Sequence, residues 1–319
     1  MTARRDSGAP SRGSALAVSA AGLEFQNPLV LAAGTAAYGR ELADVLDLDQ
    51  LGGLVTKAVS VEPRAGARAP RVAEFSGGMI NAVGLANPGL EEVRQVHLPW
   101  LARHVHRARV LVNVVGSAIE DYAAVVEGLD EVTGVDAFEL NVSCPNVRAG
   151  GLEFGADACA LGELVAGARR ATRRPIFVKL SPTLPDIAAT ARTAVDAGAD
   201  ALTLVNTLPG LVIDVERRRP VLGFGSGGVS GPGLLPVGVL ATWKVRRAVD
   251  VPLMGVGGVA TASDALQYII AGATLVGIGT AAMQDPRLPD RIRRELERWC
   301  EAHGVGSLRD LVGTLEWPE

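Results

Sequence analysis

The sequence predicts an α/β protein, a (β/α)8 TIM barrel with long βα-loops over the catalytic mouth. Short, almost wholly apolar runs alternate eight times with amphipathic helical stretches, as parallel strands buried on both faces require. An open doubly wound sheet has about six strands and carries G-x-G-x-x-G after the first, and neither feature is present here. Two wide gaps in the alternation, from Ser60 to Asn87 and from Pro209 to Pro236, are rich in Gly, Pro and Arg and each follow a strand. In a barrel such insertions lie over the mouth, where loops carry function.

In chain order the expected strands are Leu29–Ala33, Leu54–Val59, Val110–Val115, Ala137–Asn141, Ile176–Leu180, Ala201–Val205, Leu253–Val256 and Leu275–Ile278. The expected helices are Leu42–Leu46, Pro88–His106, Ile119–Val132, Cys159–Ala171, Pro185–Ala197, Pro236–Val249, Ala262–Ala271 and Pro286–His303. No linker divides the chain, so residues 21–319 read as one domain. Residues 1–20, rich in Ser, Ala, Gly and Arg, read as a disordered tail.

Composition narrows the function classes. At 319 residues with 48% hydrophobic and 21% charged residues, the chain can bury a large core. A formal net charge of −4 offers no basic field for nucleic acid. The apolar stretch Ala15 to Ala21 is short and broken by Ser19, so no signal peptide is read, and no run reaches the length of a membrane span. The expected location is the cytoplasm. Three cysteines without a C-x-x-C spacing encode neither a zinc site nor a protein-ligated iron–sulfur cluster, so no metal is expected. Cys159 and Cys300 read as buried packing; His97, His104 and His106 read as a solvated helix face.

Four constellations carry chemistry. Gly257-Gly258 and Gly279-Thr280 follow the seventh and eighth expected strands, where glycine loops of a barrel cradle phosphate, although glycines there also serve plain tight turns. Lys57 and Lys179 end apolar strands, a costly place for a cation unless it meets an anion, and the alternative is that they snorkel outward. Asn113, Asn141 and Asn206-Thr207 sit at strand ends, with Asn81 and Asn87 in the first long loop. A ring of such groups suits a flat heterocycle with alternating donors and acceptors, whereas any single asparagine is as readily a loop cap. Cys144, inside Asn141-Val142-Ser143-Cys144-Pro145-Asn146, stands where a strand opens into a glycine-bearing loop, and it suits a nucleophile or a proton-transfer base. No histidine is near it in sequence, which favours the base.

Taken together, these segments resemble class 1 dihydroorotate dehydrogenases over nearly all of residues 22–315. The resemblance rests on Thr56-Lys57-Ala58-Val59, Glu62-Pro63-Arg64, Gly78-Met79-Ile80-Asn81-Ala82-Val83-Gly84-Leu85, Asn87-Pro88-Gly89, the Cys144 segment, Lys179-Leu180-Ser181-Pro182, Asn206-Thr207, Gly227 to Pro232, Gly257-Gly258 and Gly279-Thr280. It implies FMN across the barrel mouth, in contact with Ala33, Gly34, Lys57, Ala58, Asn113, Asn141, Lys179, Val205, Gly231, Gly257, Gly258, Gly279 and Thr280. It implies a substrate, dihydroorotate going to orotate in de novo pyrimidine (UMP) synthesis, held by Lys57, Asn81, Ala82, Val83, Gly84, Leu85, Asn141, Asn206 and Thr207. Cys144 matches the family's base, taking a proton from C5 while flavin N5 takes the hydride from C6, and Lys179 would stabilise the reduced flavin's charge. Class 2 members use serine in place of that cysteine.

Glu62-Pro63-Arg64 with Asn87-Pro88-Gly89 looks more like subclass 1B. That implies a homodimer core within a heterotetramer, in which a second subunit with FAD and a [2Fe–2S] cluster passes electrons to NAD. Two positions depart from the pattern: Ala33 where many relatives have serine, and Ala67 where asparagine is usual. A dihydropyrimidine dehydrogenase-type flavin oxidoreductase is the sibling reading, but it usually carries extra cluster-ligating cysteines. A tRNA dihydrouridine synthase needs a basic RNA face, and a flavin-binding protein without catalysis leaves Cys144 and both lysines without a purpose.

Overall fold

The computed structural model describes residues 14–143, 145–146 and 152–318. Its centre is a closed barrel of eight parallel strands: β3 (Leu29–Leu31), β4 (Gly53–Val55), β7 (Arg109–Val114), β8 (Ala137–Asn141), β11 (Ile176–Leu180), β12 (Ala201–Leu204), β17 (Leu253–Val256) and β18 (Leu275–Ile278). Each strand pairs with its neighbour in that order, and Val276↔Leu29 closes the ring between β18 and β3.

Strand pleat sorts the side chains into two cores. Val30, Val55, Leu111, Ala137, Phe177, Ala201, Met254 and Leu275 point into the barrel and form one buried cluster. Leu29, Leu54, Val110, Phe138, Val178 and Val276, one position away, form another with the outer helices.

The inner cluster has a plug. β1 (Val18–Ala20) and β2 (Leu23–Phe25) form an antiparallel hairpin whose Val18, Ala20 and Phe25 join the inward-facing side chains. This corrects the expectation of a disordered 1–20 tail for its described part. Residues 14–20 are anchored because Leu16, Val18 and Ala20 bury their side chains almost completely. Residues 1–13 lie outside the described residues.

Helices follow most barrel strands: α1 (Leu90–Glu92) and α2 (Leu98–His104) after β4, joined by a wider turn at Val93–His97, then α3 (Ile119–Asp130), α4 (Ala158–Ala171), α5 (Ile187–Asp196), α6 (Leu235–Arg246) and α7 (Ala262–Ala271). After β18 come the single-turn α8 (Thr280–Gln284) and α9 (Leu288–His303). Caps fix several starts: Asp157 accepts from Cys159 and Ala160 N–H at α4, and Thr261 with Asp264 forms a capping box at α7. The expected helix Leu42–Leu46 does not form. Residues 39–46 make successive turns instead, with Leu42, Ala43 and Val45 N–H each bonded three residues back.

Among the described residues, no helix is long and apolar enough to cross a membrane. The three histidines are only partly the solvated face expected. His97 stacks on Tyr38 and His104 on Trp100, while the main chain at His106 is held by Asp49. Cys300 is buried as expected, but Cys159 is exposed, because the first turn of α4 turns it to solvent beside Glu163.

Candidate active site at the barrel mouth

The two long insertions do more than lie over the mouth; they pair with each other. β5 (Val72–Phe75) and β6 (Gly78–Asn81) come from the first, and β13 (Leu208–Gly210) and β16 (Gly227–Ser230) from the second. They form one antiparallel sheet in the order β13-β16-β6-β5, joined at Gly228↔Asn81, Val229↔Ile80 and Ser230↔Met79. Glycine is required at this seam: a Cβ on Gly78 would lie 2.1 Å from Ser230 O, and Gly78 has φ of +150°. A two-stranded ribbon, β14 (Ile213–Asp214) with β15 (Arg219–Pro220), extends the second insertion. Another, β9 (Pro145–Asn146) with β10 (Leu152–Glu153), brackets the loop after β8.

Beneath the lid the barrel interior changes character. Two residues above the apolar inner layer, the same pleat places Lys57, Asn113, Glu139, Lys179 and Thr203. Asn113, Glu139, Lys179 and Thr203 are at most 7% exposed, which is costly unless each polar group has a partner or a ligand. Most are paired. Asn113 Nδ2 donates to Glu139 Oε1 at 2.7 Å, and Thr203 Oγ1 donates to Glu139 Oε2 at 2.8 Å. The Lys179 ammonium makes no hydrogen bond or ion pair among the described residues, although the residue is buried. The Ser143 hydroxyl is likewise buried and unpartnered among them.

One step higher the strand ends bring expected site residues together. Asn206 Nδ2 donates to Asn141 Oδ1 at 3.2 Å, and that oxygen also accepts from Ser143 N–H. Tyr122, fully buried on α3, donates its hydroxyl to Asn141 O and fixes the end of β8. Asn206 Oδ1 in turn holds Thr207 N–H. Val205 is buried behind them, with its N–H on Val256 O. In the lid Asn81 Nδ2 donates to Gly228 O, and Ala82 to Leu85 lead away along the loop, half-buried except for exposed Gly84. Asn87 does not join this ring. It is spent on its own loop, accepting from Ser60 and Gly89 N–H and donating to Leu85 O and the Ser60 hydroxyl.

The glycine loops stand where expected, for mixed reasons. Gly257 and Gly258 have φ of +130° and +75°, and a Cβ on Gly258 would lie 2.6 Å from Leu235 N, so backbone and packing both require glycine. At Gly279 an added Cβ meets nothing nearer than 3.8 Å, so the backbone there is open at the mouth. Thr280 Oγ1 donates to Ser230 Oγ at 2.8 Å, tying this loop to the lid strand β16. Gly231, φ +107°, packs against Gly78 under the lid. Ala33 and Gly34 follow β3, with Gly34 φ at +81° and open space around it, while Ala58 is buried and Lys57 half-buried with its N–H on Ala37 O.

Cys144 itself lies outside the described residues. At the near edge of its loop, burial raises the Glu153 pKa while a Ser181 hydrogen bond lowers it, and burial prevails. Sequence reasoning missed Glu139, Thr203, Tyr122 and Ser230. Glu139 had a legible signal, since it stands two positions before Asn141 in an otherwise apolar strand and so shares its inward face.

This donor set has a definite chemistry: amide edges offering both hydrogen-bond senses, two cations, hydroxyls, and open glycine backbone at one end. It fits a planar heterocycle with an anionic tail. Among the described residues no group of three or more His, Cys, Asp or Glu side chains is placed to hold a metal ion.

Comparison with known proteins agrees with this geometry. A model of the family described as dihydroorotate dehydrogenase matches residues 15–299. The dihydroorotate dehydrogenase B (NAD(+)) catalytic subunit of Pelobacter propionicus is 48% identical over 301 residues, 94% of this chain and 98% of that one. The catalytic subunit of the same name from Desulforudis audaxviator is 47% identical over 297 residues, 93% of this chain and 96% of that one. A third, from Geobacter sp. (strain M21), is 44% identical over 301 residues, again 94% of this chain and 98% of the relative. With the barrel, the polar mouth and this match over almost its whole length, the chain belongs to the dihydroorotate dehydrogenase family.

Proposed function

We propose that this chain oxidises dihydroorotate to orotate in pyrimidine synthesis with FMN bound across the barrel mouth. The observation that supports this most is a buried Lys179, its ammonium without a partner among the described residues, beside the paired amides of Asn141 and Asn206 under a two-insertion lid. FMN, when bound, supplies the hydride acceptor. Every other role falls to the chain's own residues. Gly279 and Thr280, with Gly257 and Gly258, would receive the phosphate, and Asn113 and Lys179 the polar edge of the ring. Asn81 through Leu85, Asn141, Asn206, Thr207 and Lys57 would orient the flat anionic substrate. The lid sheet excludes water from it. Cys144 would take the proton from the substrate carbon facing it, and Lys179 would stabilise charge gathering on the ring.

The relatives carry "catalytic subunit" and "NAD(+)" in their names. Those names support a further subunit and NAD as the acceptor. We propose beyond them that the chain works in the cytoplasm as the homodimeric core of a heterotetramer, its electrons passing through a partner subunit with FAD and a [2Fe–2S] cluster. The test of the core reading is spectral. Purified protein is expected to be yellow and to bleach anaerobically with dihydroorotate but not with dihydrouracil. A colourless chain that does not take up added FMN overturns it.

A further inference from the structure

Among the described residues only two charged side chains are fully buried, Glu139 at 1% and Lys179 at 7% exposure. They are of opposite sign and stand on adjacent strands of the same barrel. In the β8–β11 register Phe177 faces Glu139 and Lys179 faces Asn141, so the lysine sits one pleat above the carboxylate on the inward face. They do not form an ion pair. Glu139 instead spends both oxygens on neutral donors, Asn113 Nδ2 on one side and the Thr203 hydroxyl on the other. Two donors on two oxygens satisfy this side chain without recourse to Lys179. Asn113 is itself held from below, since its N–H donates to Thr56 Oγ1.

This division of labour has a chemical logic. A direct ion pair would occupy the Lys179 ammonium and turn it away from the mouth. A carboxylate one pleat below lowers the cost of burying that cation and leaves its donors free for a ligand. We infer that Glu139 is a positioning residue: it is the counter-charge to Lys179 inside the barrel, it limits the positive field that Lys179 presents at the mouth, and it fixes the orientation of Asn113. The part of this that concerns the flavin rests on the function proposed above.

Glu139→Gln isolates the charge. The amide oxygen can still accept from Asn113, and the amide nitrogen can donate to the Thr203 oxygen, so both hydrogen bonds survive. With the negative charge gone, Lys179 is left uncompensated and favours the reduced, more negative flavin. FMN affinity is expected to stay the same, while the ratio of reduced to oxidised flavin at a fixed potential rises about tenfold, an upward shift of roughly 30 mV for a two-electron couple. An unchanged or lower midpoint potential in a folded, FMN-loaded variant overturns the inference.

A second arm needs no flavin. In the apoprotein, the thermal stabilities of Glu139→Gln, Lys179→Met and the double variant form a cycle. The expected result is coupling: the double variant is more stable than the Gln single variant, and it folds even if that single variant does not. Additive losses, or a double variant that fails to fold, overturn it. Coupling in the apoprotein without any flavin binding would retain the charge pair and reject the flavin reading instead.

Discussion

Asn141 shows how one residue ties the chemistry to the scaffold. Its carbonyl is pinned by Tyr122 from α3, and its side-chain oxygen holds both Asn206 and the Ser143 N–H, so the chain leaves β8 in a fixed direction just before Cys144. A proton-transfer base, the role proposed for Cys144, depends on such control of direction. Replacing Cys144 by serine keeps the size but supplies a much weaker acid. Flavin bleaching by dihydroorotate in stopped flow is expected to slow by about 10²–10⁴-fold at neutral pH, with the rate optimum displaced to higher pH. Unaltered bleaching at neutral pH would remove Cys144 from the role of base. At this scale the sequence was informative at Lys179 and Asn141, polar residues in or at the end of apolar strands, while Glu139 and Thr203, which interrupt apolar strands in the same way, went unread. It misled where a residue's face depended on a helix start, and Cys159, read as packing, is exposed in the first turn of α4.

At the level of elements, the N-terminal hairpin β1–β2 is the piece whose sequence concealed its role. Its strands are three residues each, too short for a periodicity, and they follow a low-complexity stretch. What makes them structural is tertiary: Phe25 is fully buried against the inner layer that includes Phe177, closing the end of the barrel opposite the lid. Phe25→Ala is expected to cost about 3–5 kcal/mol in a urea or thermal unfolding measurement, the range for emptying an aromatic site in a core. A cost near that of a surface substitution would show that the hairpin is a mere appendage.

The lid poses the same problem at longer range. Both insertions were legible as loops over the mouth, but the β6–β16 pairing joins residues about 150 positions apart, which local pattern cannot report.

The short ribbon β9–β10 carries a pH dependence. Burial outweighs the Ser181 hydrogen bond and raises the Glu153 pKa. A carboxyl whose folded pKa lies above its unfolded one favours the fold while it is protonated, and that contribution is lost as pH rises through the raised value. Glu153→Gln is therefore expected to flatten the decline in thermal midpoint over that acidic interval. A variant whose midpoint tracks the wild type through it would show that Glu153 does not couple to folding.

For the whole molecule, the decisive question is where two electrons go after they leave the mouth. The chain has three cysteines, fewer than the four thiolates that usually hold a [2Fe–2S] cluster, and the two described ones sit on different helices, Cys159 at the start of α4 and Cys300 near the end of α9. Under the proposed function, a cluster serving the flavin would be held by another polypeptide. On that proposal the electron exit would lie at a protein–protein boundary. Purified through an affinity tag from the cells that make it, the chain is expected to bring a second polypeptide with it. The pooled complex should show broad iron–sulfur absorbance beside the flavin bands and reduce NAD+ when given dihydroorotate. The chain stripped of that polypeptide should still bleach with dihydroorotate but pass nothing to NAD+. If instead the chain purifies alone, shows flavin absorbance only and reduces NAD+ unaided, the two-subunit reading fails while the barrel-mouth chemistry stands.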